Sequence, residues 1–121
     1  MSRTYQTVAN QLTIWFSVLM PTEATGALHE LQKWYHAQCN GTWEHSRGIT
    51  IETLDNPGWA VTIDVAGTAI TDRPFTAIRR SDDELDWIQC EVRDRKFEGC
   101  GGPLMLEEIL RVFLTWAARN K

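Results

Sequence analysis

Ile49-Thr50-Ile51-Glu52-Thr53-Leu54-Asp55-Asn56-Pro57-Gly58-Trp59-Ala60-Val61-Thr62-Ile63-Asp64-Val65 is the stretch on which the fold turns. Ile49 and Ile51 alternate with Thr50 and Glu52, and after a break Trp59, Val61, Ile63 and Val65 alternate with Ala60, Thr62 and Asp64. A period of two sends successive side chains to opposite sides of a pleated strand, so each run predicts a strand with one buried face. Between the runs, Asp55-Asn56-Pro57-Gly58 offers Pro, with φ held at about −65°, and Gly, which accepts positive φ, the pair that a type II turn demands. A β-hairpin follows. With the turn centred on Pro57, residue 53 would face 61 and residue 52 would face 62, making Glu52 and Asp64 diagonal neighbours on the outer face.

Further along, Gly67 to Pro74 reads as a loop, residues 75–80 as a third strand, and Ser81 to Asp86 as an acidic turn holding Asp82, Asp83, Glu84 and Asp86. Trp87 to Arg93 predicts a fourth strand with Ile88, Cys90 and Val92 on one side and Trp87, Gln89 and Glu91 on the other. A short fifth strand runs from Lys96 to Cys100, which makes the sheet an antiparallel meander. Helices flank it. Leu28, Leu31, Trp34 and Tyr35 recur at helical spacing over residues 25–39, with Asn40-Gly41 as the stop. At the other end, Gly101-Gly102-Pro103 places Pro at a first helical position, and Leu106, Ile109, Leu110, Phe113, Trp116 and Ala117 form an apolar stripe. The class is α+β. Both helices are expected on the sheet face carrying Ile49, Ile51, Trp59, Val61, Ile63, Ile88, Cys90 and Val92, leaving Thr50, Glu52, Thr62, Asp64, Gln89 and Glu91 on an open face.

A chain of 121 residues has the size of one domain, and 43% apolar with 23% charged residues is ordinary globular composition. Residues 1–24 are expected to form an N-terminal extension, and residues 25–121 the domain. The extension holds the longest apolar run, residues 12–20, which is too short for a hydrocarbon layer needing about 20 residues. It also lacks the charged start and small-residue cleavage pattern of a good signal peptide. A net charge of −4 disfavours nucleic acid, whose phosphates select basic surfaces, and favours a cationic partner. Three cysteines, Cys39, Cys90 and Cys100, make neither a paired disulfide framework nor a paired CxxC site, which suits free thiols in a reducing cytoplasm.

Chemistry-bearing candidates are few. His36, Cys39, His45 and Cys90 or Cys100 could be assembled into a zinc site, but without diagnostic spacing a surface His and a buried Cys are the simpler reading. Cys39 with His36 or His45 is the sole nucleophile–base couple, and no phosphate loop, serine elbow or zincin motif accompanies it. The expectation is therefore no catalytic residue, no metal and no cofactor. Binding is the better use of these residues. Glu44, Glu52, Asp55 and Asp64, with Trp43 and Trp87, are the candidate contact residues, since unpaired carboxylates on one face would steer a cationic partner and Trp supplies a contact anchor. Trp43 serves equally as a cap on the core, and Trp59 has the parity of the buried face.

Leu31-Gln32-Lys33-Trp34-Tyr35, Gln38-Cys39-Asn40-Gly41-Thr42-Trp43-Glu44-His45, Gly48-Ile49, Ile51 through Trp59, Asp86-Trp87-Ile88, Gly101-Gly102-Pro103 and Leu106-Glu107-Glu108-Ile109-Leu110, in this order, resemble the Immunity protein 53 family of bacterial polymorphic toxin systems. The likeness spans residues 27–118. It implies a cytoplasmic antidote that binds a cognate toxin domain and blocks it, with no catalysis, cofactor, nucleic acid or membrane involved. Of the motif positions, Trp34, Cys39, Asn56, Pro57, Gly58, Trp59, Gly101, Gly102 and Pro103 are expected to serve the fold.

Overall fold

The structure, a computed structural model, describes residues 26–119; the expected extension over residues 1–24 lies outside them. Helix α1 (Ala27–Gln38) is followed by the one-turn helix α2 (Trp43–Ser46), the hairpin β1 (Ile49–Leu54) and β2 (Gly58–Asp64), then β3 (Ile78–Ser81), β4 (Trp87–Arg93), β5 (Lys96–Gly101) and helix α3 (Leu106–Ala118). All five strands pair antiparallel in one sheet. As the alternation requires, Val61, Ile63, Ile88, Cys90 and Phe97 are buried on one side, beneath α3, and α1 packs against α3 with Ala27 and Leu31 buried.

The order of strands is β1-β2-β5-β4-β3, which departs from a simple meander. The segment from residue 65 to 77 carries the chain from β2 to the far edge, and β5 returns to the centre. Two features accompany this order. Small residues on the inner side of β5 let α3 lie close, since a Cβ on Gly99 would stand 2.6 Å from Ile109 Cγ2. The crossing segment is also fastened to the core and to the end of α3: Ile70 is buried, Trp116 Nε1 donates to Pro74 O at 2.8 Å, and Arg73 donates to Trp116 O at 2.9 Å. The third strand is accordingly shorter than its expected span. Phe75 leaves the sheet and packs edge-on to Phe97 and Trp116 at centroid distances of 5.7 and 5.3 Å.

Three local expectations change. The β1–β2 register pairs Glu52 with Ala60 and Thr53 with Trp59, because Asp55, Asn56 and Pro57 form a three-residue loop. The Asn56–Pro57 bond is cis, and Gly58 is not among the positive-φ glycines, so the turn is not type II. Gly58 is required for another reason: a Cβ there would meet Gly101 O at 2.3 Å. Pro103 does not open α3, whose first residue is Leu106; Met105 N–H bonds Gly102 O at 3.0 Å, placing Pro103 second in a turn that leads into the helix.

Candidate partner-binding surface

The outer side of the sheet carries no described helix or loop. Across its middle run Glu52, Ala60, Cys100, Gln89 and Arg79, flanked by a row holding Thr50, Thr62, Glu98 and Glu91. Trp87 stands half-exposed at one end of this face and Asp64 half-buried at the other. The charges are mixed rather than uniformly acidic. Asp64 pairs with Lys96 at 3.1 Å, and Arg93 reaches Glu98 at 2.9 Å and Glu91 at 3.9 Å. Glu52 and Asp55 are exposed and make no ion pair among the described residues.

The six expected contact residues do not form one cluster. Glu52 and Asp64 are not diagonal neighbours, because Asp64 lies beyond Thr62 and its Oδ2 accepts the Gly48 N–H at 2.8 Å. Asp55 and Trp87 sit at one end of the sheet; Trp43, Glu44 and Asp64 sit at the other, roughly 20 Å away for a six-residue length of strand. Trp43 is taken up by the fold: it is 5% exposed, its Nε1 donates to Ala66 O at 2.9 Å, and Trp34 and Tyr35 pack edge-on to it. Glu44 ties the loop before it, accepting the Asn40 and Gly41 N–H groups at 2.9 and 2.7 Å. Backbone N–H donors, its own first and then these two, hold the Glu44 carboxyl below its ordinary pKa. Asn40 Oδ1 in turn accepts the Thr42 and Trp43 N–H groups, both at 2.9 Å, which fixes the turn that leads into α2.

Trp59 has its expected inner parity, and its Nε1 donates to Pro103 O at 2.9 Å. Trp34 packs edge-on to Phe113 with centroids 4.9 Å apart. Cys39 caps the end of α1, its thiol donating to Tyr35 O at 3.4 Å. Cys90 is buried on the inner face while Cys100, opposite Gln89, faces outward, so the two cannot join one ligand set. Among the described residues no three His, Cys, Asp or Glu side chains are gathered as a metal site. Burial pushes the Cys90 thiol up to about 12, which leaves little thiolate in neutral solution. Iodoacetamide at about pH 8 should therefore alkylate Cys39 in the folded protein and spare Cys90, with both reacting after unfolding in urea. Equal labelling of Cys90 in the folded protein would show that the α3–sheet contact opens.

Composition and periodicity gave no notice of two exposed leucines, Leu85 at 55% and Leu104 at 90%, beside the acidic turn. The available signal was an apolar residue belonging to no stripe: Leu85 inside Asp83-Glu84-Leu85-Asp86, and Leu104 directly after Gly-Gly-Pro.

Among the described residues no helix is long and apolar enough to cross a membrane. Searches of curated proteins and of solved structures find no match. The family model for Immunity protein 53 matches residues 28–118, a span that runs through every helix and strand from α1 to α3. On that match the chain belongs to the Immunity protein 53 family, and it is an immunity protein by membership.

Proposed function

We propose that this protein neutralises a cognate toxin domain in the cytoplasm by binding it, not by catalysis, and that the open face of the sheet with its adjoining loops is what covers the toxin. The observation that carries this is the one-sided covering of the sheet: α3 lies on the inner face with α1 packed against α3, and the described residues leave five strands bare on the outer one. A sheet whose far side is packed on a core presents its side chains on a stiff backbone, so little ordering entropy is lost on docking. Glu52, Glu91 and Glu98 with Trp87 give this face carboxylates and one aromatic anchor. Free Cys39, Cys90 and Cys100 suit a reducing compartment.

Area argues that the loops take part. Five strands about 4.8 Å apart and about six residues long present on the order of 500 Å², whereas a stable interface takes about 800 Å² from each partner. The remainder falls on the ends of the sheet.

The test is co-expression with the toxin domain encoded beside the gene, scoring growth rescue and co-purification. Glu52→Lys with Glu91→Lys should weaken binding by about tenfold or more while leaving the urea midpoint within experimental scatter, since both side chains lie on the outer face. Asp64 is left in place because it holds Gly48 and Lys96. Full rescue and undiminished co-purification by the double variant would remove the open face from the interface.

A further inference from the structure

At the end of the sheet next to Trp87, the turn between β3 and β4 and the approach to α3 border an open groove of about 670 Å³. Leu85, Leu104 and Met105 form its apolar wall, and Arg80, Glu84 and Glu108 lie on its rim. We propose that this groove receives a lysine- or arginine-bearing loop of the toxin, the aliphatic stem lying on Leu85 and Leu104 and the cationic head meeting the carboxylates. This rests on the toxin-binding function proposed above and adds the place and chemistry of an anchoring contact.

Two exposed leucines are carried here on hydrogen-bonded turns. Asp83 Oδ1 accepts the Leu85 and Asp86 N–H groups at 2.8 and 2.7 Å, and Gly102 lies so close to Leu85 O that no side chain fits between them. Leu104 follows in the turn closed by the Met105 N–H to Gly102 O bond. The leucines therefore do not collapse onto the domain, and their exposure is a built feature of a rigid site.

Charge selects the occupant. Asp83, Glu84, Asp86 and Glu108 line the groove together with Arg80, which contacts Asp82, Asp86 and Glu108 at once. Four carboxylates against one guanidinium leave the lining with a charge of −3, in a chain whose formal net charge is −4. An anionic or purely apolar segment would meet uncompensated carboxylates. A Lys or Arg side chain matches both parts, because its stem is apolar and its head cationic. The groove lies at the end of the sheet where Asp86, one of its lining residues, leads into Trp87, and it offers area beyond the bare sheet.

The test uses the full chain and, as probe, the purified toxin domain encoded beside its gene. Leu104→Ser and Glu84→Lys alter exposed side chains that carry no described structural bond, so both variants should keep the urea midpoint. Each is expected to weaken the complex by about tenfold or more; for Glu84→Lys most of the loss falls in the association rate and shrinks at high salt. Affinities of both variants within about twofold of the unaltered chain overturn the groove. If the Glu52→Lys, Glu91→Lys variant loses the toxin while these two keep it, the open-face function stands and the groove alone fails. No binding by the unaltered chain removes both. A concentration-dependent dimer that Leu104→Ser abolishes, with toxin binding retained, would assign the groove to a second copy and overturn the proposal as well.

Discussion

Gly102→Ala is expected to destabilise the folded protein by about 3 kcal/mol or more. A Cβ on Gly102 would lie 1.8 Å from Leu85 O and 2.7 Å from its carbonyl carbon, and both are backbone atoms. A flexible side chain could swing aside; here the turn before β4 or the end of β5 must move. Asp83 fixes the first through Leu85 and Asp86, and the Gly102 N–H to Trp87 O bond at 3.0 Å fixes the second. Overpacking of this kind costs about 1–3 kcal/mol and occasionally more, and backbone against backbone belongs at the top of that range or above. Against a total stability of about 5–15 kcal/mol, the urea midpoint should fall steeply with the slope unchanged. Gly48→Ala is the control, because nothing lies within 4 Å of a Cβ there. An unchanged midpoint for Gly102→Ala would show that the two segments are not in contact.

Phe113→Ala should be nearly as damaging for the opposite reason. Phe113 is fully buried on α3, with ring centroids 4.9 Å from Trp34, 5.3 Å from Phe97 and 6.0 Å from Trp116. Among the described residues it is the one ring that packs against rings of α1, β5 and its own helix together, so its removal leaves a hole between the two layers. Truncation of a buried Phe costs about 3–5 kcal/mol, through lost transfer energy and the cavity left behind. Urea unfolding followed by tryptophan fluorescence should report that loss. A change below about 1 kcal/mol would mean that α1 can close over the gap, and that the helical layer is looser than its packing indicates.

These two sites also show what could be read from the residues alone. Period-two alternation in Ile49–Val65 and Trp87–Arg93 identified the buried face, because burial on one side leaves its mark on every second residue. The stripe Leu106, Ile109, Leu110, Phe113 and Trp116 identified α3 in the same way. Strand order was not legible. Pairing of strands distant in sequence leaves no local mark, just as the close approach of Gly99 to Ile109 leaves none. The β4–β5 turn falls where the expected strands leave it, at Asp94 and Arg95, but its conformation carries no local signal: the two take φ of 54° and 60° without a glycine between them.

The resemblance-bearing motifs prove to be joints of the fold. Trp59 bonds Pro103, Gly58 abuts Gly101, and Gly102 abuts Leu85, so Asn-Pro-Gly-Trp and Gly-Gly-Pro meet at one corner. Trp43 and Glu44 likewise lock the link between α1 and β1. Recognition by such motifs therefore identifies the scaffold. The contact residues proposed above, Glu52, Trp87, Leu85 and Leu104, lie instead where the scaffold leaves side chains unused.

Hydroxyl-radical footprinting of the protein with and without its toxin domain compares the two sides of the molecule in one measurement. Trp87 on the outer side and the exposed Leu28 and Tyr35 on α1 supply the reporters. Docking on the open face predicts that Trp87 becomes protected while Leu28 and Tyr35 oxidise as before. Protection of Leu28 and Tyr35 with Trp87 unchanged would place the toxin on the helical side and contradict it.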